Sequence, residues 1–146
     1  MSFWDSSAVL PLSVEEPLSA PVRQLGRTLG APVVWWACMV ECCSALERRR
    51  RAGQLNFQQK GQAERLLHQL AAAWMEMHPT LALRERAIRL LAAHDLRASD
   101  ALQLAAALLW AAERPSGRVF VCLDARLREA AQREGFTVLP EALPYL

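Results

Sequence analysis

The sequence predicts an α/β fold built on a mainly parallel sheet, and three observations carry that prediction. Short runs of β-forming residues alternate with longer segments of helical period. No hairpin dipeptide such as Asn-Gly joins two of those runs. The run Val119 to Leu123 is apolar without a break, as a strand covered on both faces requires.

Ser2 to Trp4 reads as a strand ending at Asp5, and Ala8 to Leu12 as a short helix stopped near Pro11. Ala20 to Leu29 places Val22, Leu25 and Leu29 at helical spacing and stops at Gly30. Val33 to Trp36 is rich in β-formers and predicts a strand. From Ala37 to Ala52, Cys38, Met39, Cys42, Cys43, Ala45 and Leu46 recur at helical spacing until Gly53. Phe57 to Ala73 predicts a second long helix with Leu66, Leu67 and Leu70 on one stripe, and Trp74 to Met77 a short strand. Thr80 to Ala93 repeats the helical period through Leu83, Ala87, Leu90 and Leu91. Ser99 to Glu113 is apolar almost all round, which predicts a central buried helix. After the strand Val119 to Leu123, Asp124 to Glu134 is amphipathic and closed by Gly135, and Phe136 to Leu139 is a last strand. With no repeat, low-complexity segment or linker, residues 1–146 read as one domain.

A hydrophobic content of 53% over 146 residues suffices for a core without a disulfide or metal staple, and it argues against disordered or fibrous classes. The longest nearly apolar run, Ala101 to Ala112, contains Gln103 and is too short to span a bilayer. The start of the chain lacks a basic leader and Asp5 interrupts its apolar stretch, so no secretory signal is expected. Cys38, Cys42, Cys43 and Cys122 lack the spacing of a disulfide framework, which points to a reducing cytoplasm. A net charge of +2 does not by itself imply nucleic-acid binding.

The acids are more informative than the total charge. Of 15 acidic residues only Asp5, Asp95, Asp100 and Asp124 are aspartates. Asp5 and Asp124 each follow a predicted strand, Asp100 opens the most buried helix, and Glu41 lies one turn into the helix after Val33 to Trp36. Open parallel sheets bind ligands beyond the carboxyl ends of their strands, which is where these four would gather. Each also has a purely structural explanation. Asp5 and Asp124 suit N-caps, and Asp100 with Gln103 three residues on resembles a capping box. Glu41 could face solvent and favour the helix dipole. Facing inward, it would meet Ala37, Cys38, Ser44 and Ala45 one turn away, none of them a base, and its charge would call for a cation.

Taken jointly, three or four carboxylates repel one another, and a divalent ion offsets that repulsion. Mg²⁺ or Mn²⁺ suits hard oxygen donors, can lower the pKa of a water, and stabilises charge developing on a phosphodiester. No nucleophile–base pair competes, and G-x-S-x-G, P-loop and G-x-G-x-x-G motifs are all missing.

Four segments, FWDSSAVLPL, WWACMVECCSALERRRRAGQL, RASDALQLAAAL and VFVCLDARLREAAQREGF, lie in order along nearly the whole chain. Their order and spacing resemble PIN-domain ribonucleases, in particular VapC-type toxins of bacterial toxin–antitoxin systems. The resemblance implies a three-layer α/β/α sandwich and an endoribonuclease in which Asp5, Glu41, Asp100 and Asp124 hold Mg²⁺ or Mn²⁺ and activate water. It further implies a homodimer silenced by a VapB-type antitoxin whose C-terminal segment fills the acidic groove. The chain departs from many relatives beside the fourth acid. Cys122 and Leu123 precede Asp124 where a hydroxyl residue is common, and Arg126 stands where a further acid is common, which weakens the case for a second metal.

Arg48 to Arg51 reads either as a solvated helix end or, through Arg48 and Arg51, as a contact to RNA phosphates. Trp35 and Trp36 read as core packing, with base stacking the alternative. The clustered cysteines read as small packing residues, Asp95 as a turn residue, and His68, His78 and His94 receive no role. Beside the nuclease stand two other readings. One is a degenerate PIN domain that binds RNA or protein. The other is a phosphatase with Asp5 as nucleophile, disfavoured because Ser7 occupies the position where a second Asp is usual.

Overall fold

Strand pairing here is entirely parallel. In a computed structural model describing residues 1–143, five strands form one sheet in the order β3-β2-β1-β4-β5. They are β1 (Ser2–Trp4), β2 (Pro32–Trp35), β3 (Met75–Met77), β4 (Val119–Val121) and β5 (Thr137–Leu139). Seven α-helices complete the described chain: α1 (Ser6–Val9), α2 (Ser19–Leu29), α3 (Cys38–Arg51), α4 (Phe57–Ala71), α5 (Leu81–Ala93), α6 (Ala98–Trp110) and α7 (Ala125–Glu134). None of the described helices is long and apolar enough to cross a membrane.

Successive strand residues point to opposite faces, and the short strands use both. Phe3, Val33, Trp35, Phe120 and Cys122 join a core closed by α5, α6 and α7. Trp4, Val34 and Val121 join a second core closed by α1 to α4, with Cys38, Cys42, Leu46 and Leu67. The result is the three-layer α/β/α sandwich that the sequence resemblance implies.

Element boundaries shift for local reasons. The first helix starts at Ser6, two residues before the predicted Ala8, because Asp5 caps it by accepting a hydrogen bond from the Ser7 amide. Pro11 does not stop it; Leu10–Leu12 continues as a 3-10 turn with the proline in its first turn, where no N–H is needed. The buried helix runs from Ala98 to Trp110 and not from Ser99 to Glu113, since Ala112 and Glu113 adopt positive φ angles of 53° and 59°. Trp35 is buried as predicted, but Trp36 is 49% exposed and corrects the reading of both tryptophans as core. It stands where β2 ends, its amide donating to the Met77 carbonyl before α3 begins.

Candidate functional site

From β1 the chain first builds β2 and β3 on one side, and later β4 and β5 on the other. The carboxyl ends of β1 and β4 therefore border the point where strand order reverses, the customary ligand crevice of an open parallel sheet. Asp5 directly follows β1 there, its amide bonded to the Val121 carbonyl at 3.0 Å, and Asp124 lies just beyond β4. Glu41 comes from the first turn of α3 and Asp100 from the first turn of α6. All four carboxylates line one cavity of about 1030 Å³.

Asp5 is the most confined of them, at 4% exposure. Its Oδ2 accepts from the Ser7 amide at 3.1 Å and the Ser7 hydroxyl at 2.5 Å. Ser7 Oγ in turn accepts from the Leu123 amide at 2.9 Å, tying the end of β1 to the end of β4. Burial pushes the Asp5 carboxyl up to about 6 against the pull of the Ser7 hydrogen bonds, and repulsion from Asp100 and Asp124 adds to the rise. Cys122 approaches at 3.7 Å from Oδ2, and burial followed by the Asp5 charge drives its thiol well above the usual range.

Glu41 faces inward and is not unpartnered. Gln103 Nε2 donates to its Oε1 at 2.6 Å, from 62 residues away in the chain. Burial, then the charge of Asp5, pushes the Glu41 carboxyl up to about 7, with the Gln103 bond opposing. This arrangement corrects the capping-box reading of Asp100 and Gln103. Asp100 is the third residue of α6 and not its cap, accepting from the Arg97 amide at 3.4 Å, while Gln103 serves Glu41. Burial and the nearby Asp124 raise the Asp100 carboxyl, and Arg97 and Arg126 counteract. Asp124 is exposed and does cap α7, its Oδ1 accepting from the Leu127 amide at 3.0 Å. That bond leaves Oδ2 as the oxygen available to the cavity.

Among the described residues none of the four carboxylates takes part in a salt bridge. Three of the arginines around them have other partners. Arg48 Nη1 donates to Ser44 Oγ at 3.0 Å, Arg49 pairs with Glu16, and Arg126 reaches the exposed Asp95 at 3.8 Å. Arg48, Arg49 and Arg97 line the cavity, whereas Arg51, the other arginine proposed for RNA, does not. Nor do three acidic, histidine or cysteine side chains anywhere among the described residues converge closely enough to enclose a metal ion.

Ser7, Gln103, Cys122, Arg49 and Arg97 are the site residues that sequence reasoning did not assign. Gln103 carried a signal, being the one polar side chain in the apolar run Ala101 to Ala112. His94, also given no role, is half-buried and bonds Glu134 at 2.7 Å, outside the lining of the cavity. Compared with known proteins, the chain matches no family model and no curated protein.

Proposed function

We propose that this protein is a divalent-metal-dependent endoribonuclease of the PIN-domain, VapC-toxin kind. The observation that carries the reading is the gathering of Asp5, Glu41, Asp100 and Asp124 on one cavity without a salt-bridged base. Burial first, and the neighbouring carboxylates after it, raise the Asp5 and Glu41 carboxyls. The family assignment rests on the four ordered sequence segments.

The donor chemistry fits Mg²⁺ or Mn²⁺ better than a caged metal. A Mg²⁺ site commonly uses one or two carboxylates and keeps several waters, so it does not need three converging ligands. Asp5 and Asp100 would hold the ion, with Glu41 and the free oxygen of Asp124 around it. When bound, such an ion neutralises the phosphodiester and lowers the pKa of water. Glu41, at the rim of that set, would take up the proton that water loses on attacking phosphorus as the bond to the leaving ribose oxygen breaks. Arg48 and Arg97 offer guanidinium groups to phosphates, while Arg49 is held by Glu16. The four free cysteines suit a reducing cytoplasm, and a homodimer and a VapB-type antitoxin are the partners that go with this reading.

One observation favours a second reading, a degenerate domain that binds RNA or protein without cutting. The carboxylates as they stand do not converge, and Asp124 is occupied by its cap. Nuclease-free preparations of wild type, Asp5→Asn and Asp100→Asn separate the two on single-stranded RNA with and without Mg²⁺. Metal-dependent cleavage lost in both variants, with circular dichroism unchanged, supports the enzyme. Full cleavage by both variants ends it, and RNA binding indifferent to Mg²⁺ without cleavage favours the binding module.

A further inference from the structure

Gln103 is the odd residue of α6. Ala101, Leu104, Ala105, Ala106, Ala107 and Leu108 around it are buried and apolar, and Gln103 itself is 1% exposed. Burying an amide in such surroundings is costly unless both of its polar atoms are paired. Only one is. Nε2 donates to Glu41 at 2.6 Å, and Oε1 is buried without a partner among the described residues. An ionised carboxylate can only accept, so it holds the amide with the NH₂ toward Glu41 and leaves the carbonyl unsatisfied. The bond links α6, in one helical layer, to α3, in the other, beyond the carboxyl end of the sheet. Packing alone would be served better by Leu or Met at this position.

We propose that Gln103 is a positioning residue that fixes the Glu41 carboxylate at the cavity for metal binding and cleavage. The inference rests on the nuclease reading above. Its role resembles that of the outer hydrogen-bond partners of metal ligands, whose loss typically costs about 10–100-fold in metal affinity or activity.

The test is a double-mutant cycle of wild type, Gln103→Met, Glu41→Ala and the double variant. Mn²⁺ affinity is read by calorimetry, cleavage on single-stranded RNA, and melting temperature without metal. Gln103→Met keeps length and volume while removing both polar atoms. The expected result is a melting temperature at or above that of wild type, with Mn²⁺ affinity and cleavage down about 10–100-fold. In the Glu41→Ala background the same substitution should change neither quantity, because its effect passes through Glu41. Wild-type Mn²⁺ affinity and cleavage in Gln103→Met, losses that add to those of Glu41→Ala, or a lowered melting temperature would each overturn the proposal. A wild-type protein that neither binds Mn²⁺ nor cuts RNA overturns the nuclease reading and this role with it. That outcome is distinct from an active enzyme indifferent to Gln103.

Discussion

Replacing Asp5 by Asn should make the metal-free protein more stable at alkaline pH and leave it unchanged in acid. The carboxyl moves from an ordinary 3.8 to about 6, chiefly through burial, and the residue is only 4% exposed, so solvent screens little of that effect. The folded state therefore binds this proton more tightly than the unfolded chain does. Below about pH 3.8 both states are protonated and Asp5 costs nothing. Between there and pH 6 the cost accumulates, and above pH 6 it is complete. At about 1.4 kcal/mol per pH unit the full cost is roughly 3 kcal/mol. Asn keeps an oxygen that can accept from the Ser7 amide and hydroxyl, so most of this should return as stability, about 2–3 kcal/mol. Urea denaturation at pH 8 and pH 4 with a chelator present measures it. No gain at pH 8, or an equal gain at pH 4, would refute the argument that a buried charge sits at this position. Adding Mg²⁺ should then favour the wild type selectively, by about 2.7 kcal/mol at a hundredfold excess over its dissociation constant.

Two further outcomes follow from neighbouring residues. Arg128 is 6% exposed and spends its charge on two carbonyls, those of Cys122 at 2.7 Å and Pro140 at 2.6 Å. Arg128→Met should lower stability by about 2–4 kcal/mol in chemical denaturation, and an unchanged midpoint would remove this side chain as the clamp between β4 and the segment after β5. Arg48→Ala should weaken RNA binding and flatten its salt dependence by about one unit of slope, while Arg51→Ala should leave both alone. Equal effects would count against the cavity as the path of the phosphates.

Much of the fold was legible because its elements are short, strongly patterned and locally punctuated. Gly135 closes α7 with a φ of 111°, and the amphipathic run before it has the expected extent. The carboxylates were legible for a similar reason, since their chain positions relative to strand ends place them in a parallel sheet. What eluded sequence reasoning depended on contacts between distant residues. Gln103 has a partner 62 positions away, so its pairing with Glu41 cannot be read from either helix. Asp100 looked like a cap because three-residue spacing to Gln103 mimics a capping box; only the start of α6 at Ala98 distinguishes them. The bond from the Leu123 amide to Ser7 Oγ likewise joins residues from opposite ends of the chain, and neither segment announces it. Trp36 fell outside the core because β2 ends one residue earlier than its run of β-formers.

The buried polar residues sharpen the case for function at the cavity. Six are buried among the described residues: Ser2, Asp5, Ser13, Ser19, Gln103 and Arg128. Four of them have structural tasks that account for their polarity. Ser2 accepts from the Trp4 indole at 2.8 Å; Ser13 and Ser19 donate to the carbonyls of Leu10 and Pro11, each at 2.8 Å; and Arg128 joins two carbonyls. Asp5 and Gln103 are different. Asp5 caps α1, but Ser or Asn would cap as well without a buried charge. Gln103 satisfies one carboxylate and leaves its own carbonyl unpaired. Random surface tolerance cannot explain two such costs, because neither residue is on the surface and both concern carboxylates of the same cavity. Destabilising groups kept together at the switch point of a parallel sheet are what a site designed to receive positive charge requires, and that is the physical basis on which the nuclease reading stands.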